Sequence, residues 1–432
     1  MMHADVIVVG GGAAGLMAAV VAAERGKQVL LLEKMDQAGR KLRITGKGRC
    51  NLTNTNSLRD TLPHIGSSSA GATHKPGQSG GVWLRNAYGR FFNNELMQWF
   101  EDHGVKLIVE RGNRVYPASG KSLDIFLALI NELEGNPNVT IRKNTTIKSI
   151  KVENGEWKVE SDASASKEFS TMHFPLSTRI ILATGGLSYP TTGSTGAGFR
   201  IARELGHTIV EPVPSLVALK CQEKIPEELV AFQLKNVQLS ILNSQFSIFN
   251  SAIGEMTFTN DGLAGPIVLS ASRIATRALH TGETLTASLD LKPALTPEQL
   301  DKRLLADINA NGTRIFNDAL RLWLPAELIP LALPQLHIEY YKRLHQLTGE
   351  ERRRLRDWLK GVKFTLKGTH DWNEAIVTQG GVSLSEVNPK TMESRLVKGL
   401  YIVGELLDLD ADTGGYNLQI AFSTGHAAGE AV

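Results

Sequence analysis

The chain opens on an apolar run, Ala4 to Val9, with no polar alternation before three glycines, Gly10-Gly11-Gly12, interrupt it. An unbroken run of this kind suits a parallel strand covered on both faces. Ala14 to Arg25 follows as a helix of small and apolar residues, closed by Glu24 and Arg25 and stopped by Gly26. Gln28 to Leu32 is a second apolar strand. Strand, glycine turn, helix and strand within about 30 residues make one βαβ unit.

The pattern then changes. Gly66 to Gly81 carries Ser67-Ser68-Ser69 and several glycines without an aliphatic stripe, and reads as a mobile surface loop. Asn94 to His103 is an amphipathic helix with Leu96, Trp99 and Phe100 on one face; Ser122 to Leu133 is another. Val139 to Ile150 and Trp157 to Val159 read as strands of a meander around the Asn154-Gly155 turn. Arg179 to Ala183 is a short buried strand ending in Thr184-Gly185-Gly186, with a helix at Phe199 to Leu205.

From Pro212 to about Gly265 short alternating strands, such as Leu239 to Leu242 and Phe246 to Phe249, predict a β-rich second domain. Thr296 to Leu359 is helical, with capping boxes at Thr296-Pro297-Glu298-Gln299 and Thr348-Gly349-Glu350-Glu351. Arg352-Arg353-Arg354 reads as a solvated face of the last of these helices. A strand, Leu400 to Val403, then precedes a glycine turn and an apolar helix. There is no internal repeat. The expected fold is α/β: a discontinuous Rossmann-like dinucleotide-binding domain (1–205 and 370–432), a β-rich insert (206–290 and 360–369) and a small helical domain (291–359).

Composition narrows the class. At 432 residues the chain exceeds what one core organises, and 42% hydrophobic with 21% charged residues is ordinary for a globular protein. A net charge of +3 and a pI near 8.7 are too small and too dispersed an excess to predict nucleic acid or an anionic membrane as a partner. Cys50 and Cys221 are the only cysteines, which fits a reducing compartment. With no targeting pattern and no apolar run near the roughly 20 residues that span a bilayer, a cytoplasmic location is expected.

The chemistry begins at Gly10-x-Gly12-x-x-Gly15. Gly10 permits the tight turn, Gly12 lets the backbone approach a pyrophosphate, and Gly15 lets helix and strand sit close. The helix start at Ala13 and Ala14 offers free N–H groups and a positive dipole end to the phosphates. Glu33, eighteen residues after Gly15 and followed by Lys34, would accept both hydroxyls of an adenosine ribose and repel a 2′-phosphate. A glycine-rich turn without a ligand is the plainer alternative.

The C-terminal end selects FAD over NAD. The strand Gly399 to Val403 runs into Gly404-Glu405, a glycine and a carboxylate suited to a ribitol or ribose hydroxyl. After Asp408, Asp410 and Asp412, the segment Thr413-Gly414-Gly415-Tyr416-Asn417-Leu418-Gln419 opens the last helix. Its N-terminus would lie against the flavin pyrimidine edge and favour the charge of reduced flavin. Gly39-Arg40-Lys41 and Thr45-Gly46-Lys47-Gly48-Arg49-Cys50-Asn51 add cations and close-approach glycines, although the same composition suits a solvated loop. The expected cofactor contacts also include Ile147, Asp410 and Ala183 to Gly186.

Several segments, in order, resemble one bacterial group: Gly39-Arg40-Lys41 through Asn54, Arg114 to Pro117 with Ser119-Gly120-Lys121, Ala183 to Gly186 with Ser188 to Gly193, Gly254-Glu255 with Phe258-Thr259 and Gly262 to Pro266, Gly380 to Ser383 with Glu386 to Lys390, and Thr413 to Gln419. The chain is similar to the BaiN-like, aminoacetone-oxidase-like family of bacterial NAD(P)/FAD-dependent oxidoreductases. The resemblance implies the three-domain arrangement, Arg40 and Lys41 near the FAD diphosphate, and Gly48 to Asn51 near the isoalloxazine. It does not imply a substrate.

Catalytic candidates are few. Arg49, Cys50 and Tyr189 lie in the expected site, but a lone cysteine in a glycine loop is more often a packing residue. Tyr189 and Tyr416 could each border the flavin, but a structural role explains either tyrosine better. No Cys-x-x-Cys exists for a disulfide-reductase mechanism, no His/Cys spacing suits a metal, and Ser119 and Ser188 sit in no nucleophile motif. Gly193-Ser194-Thr195-Gly196-Ala197-Gly198 is the sole candidate for a second dinucleotide site and lacks the full spacing, so NAD(P)H is expected only as a transient donor at the flavin face. The leading reading is an FAD oxidoreductase moving a hydride between NAD(P)H or a small organic substrate and flavin N5. The alternatives are an oxygen-using amine oxidase and a non-redox flavin-binding protein acting in RNA modification or partner binding.

Overall fold

A computed structural model of the chain describes residues 4–68, 78–153, 156–163, 171–173 and 177–432. It divides into two compact units, Met1–Pro214 with Trp372–Val432, and Ser215–Asp371.

The first unit is built on five parallel strands: β1 (Val6–Val9), β2 (Val29–Leu32), β3 (Val139–Arg142), β4 (Arg179–Leu182) and β5 (Leu400–Ile402), in the spatial order β5-β4-β1-β2-β3. β1 and β2 are buried at every position, as their unbroken apolar sequences require. Helix α1 (Ala13–Glu24) joins them and packs along the C-terminal helix α2 (Tyr416–Ala431). Small residues set that contact: a Cβ on Gly425 would fall 2.3 Å from the Ala14 carbonyl oxygen, and one on Gly429 2.7 Å from that of Ala18. β5 and α2 therefore return from the end of the chain to complete the sheet begun by the first thirty residues.

Two expectations change here. Val139 to Ile150 is not one meander strand. Asn144 takes a left-handed φ of +55°, so the chain turns after β3 and continues as Thr145–Glu153, which pairs antiparallel with Glu156–Ala163. The Asn154-Gly155 turn lies outside the described residues. Of the glycine-rich stretch expected as a loop, residues 69–77 lie outside the described residues; its last four residues open a helix, Gln78–Tyr88, in which a Cβ on Gly80 would fall 2.4 Å from the Gly66 carbonyl oxygen. At Gly80 and Gly81 glycine records a close approach to backbone.

In the second unit six antiparallel strands close on themselves, in the order Gln233–Leu242, Gly254–Phe258, Gly262–Ala264, Leu219–Cys221, Val362–Thr369, Leu285–Asp290 and back to Gln233–Leu242. Pro266–His280, which the strand pattern did not announce, is a helix packed on this barrel. Both capping boxes form, with Thr296 and Thr348 hydroxyls accepting from Gln299 and Glu351 N–H at 3.2 and 3.1 Å. The helices they start share one buried core with the barrel. Among the described residues no helix is long and apolar enough to cross a membrane.

Candidate functional site

The carboxyl ends of β1, β2, β4 and β5 bring the expected site residues of the first unit together, the usual place for a ligand in an open parallel sheet. The three glycines of the fingerprint do different jobs. Gly10 has φ +105°, and a Cβ there would lie 2.4 Å from the Ala183 oxygen. Gly15 is tighter still, its Cβ falling 1.9 Å from the Gly10 oxygen, so the helix seats on the turn. Gly12 faces open space, with nothing within 4 Å of a Cβ. It is also the N-cap of α1, and no side chain caps that helix. The N–H groups of Ala13 and Ala14 therefore start an uncapped helix beside an open space, the cradle a diphosphate requires.

Glu33 is buried and held by backbone: Oε2 accepts from Gly11 N–H and Oε1 from Met35 N–H, each at 2.7 Å. Burial raises its pKa while those hydrogen bonds oppose the rise. Lys34 reaches Thr195 Oγ1 at 2.9 Å, and Ile147 is buried on the strand whose Thr145 N–H donates to the Glu33 carbonyl.

Between β2, β4 and β5 lies a connected polar cluster. Lys41 Nζ donates to Glu405 Oε2 at 2.6 Å and to Ser188 Oγ at 2.5 Å. Ser188 Oγ donates to Glu405 Oε1 at 2.5 Å, and Thr378 N–H to the same oxygen at 2.8 Å. Thr378 Oγ1 in turn accepts from Leu187 N–H. Gly186 borders this cluster closely enough that a Cβ would fall 2.2 Å from Thr378 Oγ1, while Gly185 adopts φ +71°. Thr378 carries no sequence signal and enters the site only through the fold. Arg40 pairs with Asp36, four residues earlier in the loop after β2, at 2.6 Å.

The basic loop wraps tightly: Gly46, Lys47, Gly48 and Cys50 all have positive φ. Asn51, with its amide turned to suit both partners, bridges the Thr53 oxygen and Gly415 N–H. Asn54 donates to the Gly414 oxygen at 3.2 Å, Thr53 Oγ1 to Gln419 Oε1 at 2.5 Å, and Asn56 to the Tyr416 hydroxyl at 2.8 Å. Asn417 closes the preceding turn against Ala411, next to buried Asp410. A Cβ on Gly415 would overlap Thr53 backbone at 2.3 Å. The segment 51–56 thus fixes the start of α2, which no side chain caps. His64 stacks on Tyr416 with centroids 4.6 Å apart and meets Asp412 Oδ2 at 2.8 Å.

The catalytic candidates divide. Arg49 is exposed, paired with Glu110 and stacked over Tyr116 at 4.5 Å. Tyr189, half-buried in a left-handed conformation, donates its N–H to the Trp372 oxygen. Cys50 is fully buried, and burial pushes its thiol up to about 12, with a Thr45 hydrogen bond opposing. A thiolate is then scarce at neutral pH. Cys50, and equally buried Cys221 with its thiol also raised to about 12, should stay inert to an aromatic disulfide reagent near pH 8 until denaturant is added. Stoichiometric thiol release from the folded protein would contradict this. Among the described residues no cluster of His, Cys, Asp or Glu could hold a metal ion.

The observed site fits a flavin dinucleotide: an open cradle at Gly12, a buried carboxylate beyond the second strand, and two uncapped helix starts.

The family model described as the HI0933-like protein Rossmann domain matches residues 4–431. A 3-dehydro-bile acid delta(4,6)-reductase of Clostridium scindens is 30% identical over 98% of this chain and 98% of its own. A ribosomal RNA dihydrouridine synthase of Escherichia coli is 26% identical over 100% of this chain and 98% of its own. Among solved structures, a 3-ketosteroid-delta4-(5alpha)-dehydrogenase of Rhodococcus jostii RHA1 superposes with a TM-score of 0.50 at 15% identity, covering 99% of this chain and 96% of that one; the likeness is one of fold.

Proposed function

The chain belongs to the HI0933-like family of Rossmann-domain proteins, and from that premise we propose that it is an FAD-dependent reductase acting on a carbon–carbon double bond conjugated to a carbonyl group. One observation carries the reading. Two relatives that align over essentially the whole chain are named for saturating such a bond, one in a 3-dehydro-bile acid and one in the uracil ring of ribosomal RNA. The substrates differ in size and shape; the reacting group does not. RNA modification, set apart above as a non-redox alternative, is in that relative itself a reduction.

The chain's own residues supply the binding. The N–H groups at Ala13 and Ala14, opened by Gly12, would hold the diphosphate, and Glu33 the adenosine ribose. Lys41, Ser188 and Glu405 would order the loops along the ribitol, and the start of α2 at Gly415 to Asn417 would set a positive dipole end at the ring's pyrimidine edge. When bound, FAD supplies two-electron transfer between a donor and the substrate carbon. The reduction consumes two electrons and two hydrogens: one carbon of the double bond takes a hydride equivalent, its neighbour a proton, and a reduced nicotinamide is the electron source.

The test is anaerobic. NADH or NADPH should bleach the bound flavin, and a simple enone such as cyclohexenone, or a 3-oxo-Δ4 steroid, should restore its colour with formation of the saturated ketone. Bleaching by small amines instead, with colour restored only by oxygen, would replace this reading with the amine oxidase.

A further inference from the structure

Residues 40–56 and 106–124 hold nine Lys and Arg but only two Asp and Glu, a net +7 where the whole chain carries +3. Fifty residues separate the two segments in sequence, so the concentration is invisible there; the fold joins them. Thr53–Asn54 pairs with Arg114–Pro117, which pairs with Leu107–Glu110. Arg49 spans the junction, paired with Glu110 and stacked on Tyr116. Ser122 donates to the Arg43 carbonyl, which ties the helix that begins after Lys121 to the same loop.

Most of these cations are uncommitted. Arg40 is taken by Asp36, Lys41 by Glu405 and Arg49 by Glu110. Arg43 donates to Gln37 Oε1 at 2.5 Å and lies over the Phe126 ring. Lys47, Lys106, Arg111, Arg114 and Lys121 have no ion pair among the described residues, and all but Arg114 are exposed. At the centre, Gly46, Lys47 and Gly48 have φ of +57°, +57° and +83°. Glycine suits the middle position better, yet a lysine stands there, strained and turned to solvent; strain of this kind collects at functional sites.

The rim also ends where the proposed chemistry lies. Asn54 donates to both the Gly112 oxygen of the Arg111 hairpin and the Gly414 oxygen before α2, and Asn113 donates to Asn56, the partner of Tyr416.

We infer that this rim docks an RNA strand and presents one of its uracil bases to the flavin site. The inference rests on the conjugated-double-bond reading, since the uracil ring contains such a bond. A steroid carboxylate needs one or two cations, whereas five uncommitted ones distributed over two segments match the repeated charge of a phosphate backbone. The near-neutral balance of the whole chain does not weigh against it, because the field that matters is local.

Binding measured without turnover tests it. Fluorescein-labelled oligouridylate of about twelve nucleotides should bind the FAD-loaded protein at roughly 50 mM salt and be released steeply by about 200 mM. Lys47→Gln/Arg111→Gln/Lys121→Gln should weaken binding at least ~10-fold and flatten the slope of log K against log salt by about 2, at ~0.7 per phosphate contact. Retained flavin absorbance reports that the variant is folded. If it is not, the salt dependence of the unaltered protein decides, and a slope shallower than about −1 would overturn the inference. So would equal affinity in both proteins, or a variant that loses cholate binding while keeping the oligonucleotide. Cyclohexenone reoxidation needs none of these residues, so failure of the reductase reading would show there and failure of the docking surface here.

Discussion

Gly12→Val is expected to give a folded protein that no longer retains FAD. The backbone at Gly12 has φ −81° and ψ −173°, a conformation any residue adopts, and nothing lies within 4 Å of the added Cβ. The apo fold should therefore accept the side chain. The branched carbons would instead fill the space through which a diphosphate reaches the uncapped N–H groups of α1. Losing that approach should weaken FAD by at least ~100-fold, about 2.8 kcal/mol. Gly15→Ala supplies the contrast. Its Cβ would sit 1.9 Å from the Gly10 oxygen, so helix and turn must separate and the fold itself should lose ~1–3 kcal/mol. Visible absorbance of the purified proteins and melting of their flavin-stripped forms separate the outcomes. A yellow Gly12→Val protein would place the phosphate elsewhere; a colourless and unfolded one would mean that Gly12 serves packing after all.

That contrast also shows what a sequence can carry. The βαβ unit was legible because its apolar runs, glycine spacing and acidic residue are local, and β1, α1 and β2 formed where the pattern placed them. The return of the chain through β5 and α2 was legible as well, since Gly404-Glu405 and Thr413 to Gln419 form compact motifs. Partners distant in sequence were not. Nothing near Thr378 announces that its N–H and hydroxyl would bracket Glu405 and Leu187, and nothing near Arg111 announces Lys47. The helix start at the end of the Gly66 to Gly81 stretch was hidden for a related reason. Glycines reporting close contact with distant backbone have the same composition as glycines reporting freedom, and only the contact with the Gly66 and Leu62 carbonyls tells them apart. Pro266–His280 was missed because a helix lodged on a barrel interrupts a strand pattern without a cap of its own.

Lys41→Met is expected to destabilise the flavin-stripped protein by about 3 kcal/mol, more than a surface ion pair would account for. Lys41 and Glu405 keep only 22% and 19% of their side chains exposed, and they join the loop after β2 to the end of β5, 364 residues apart. With the ammonium gone, Glu405 still has Ser188 and the Thr378 N–H but keeps a half-buried charge with no counter-ion. Removing that charge as well should relieve most of the cost, so Lys41→Met/Glu405→Gln should lie within about 1–2 kcal/mol of the parent. Denaturant midpoints of the four proteins complete the cycle. Strictly additive losses would mean the two groups act independently and that the sheet is closed by packing alone. A recovery in the double variant would identify the pair as the latch holding the C-terminal return of the chain against its first half. Such a latch is needed before any cofactor arrives, because the residues proposed to hold FAD come from both sides of it: Gly12 and Glu33 from one, Glu405 and Gly415 from the other.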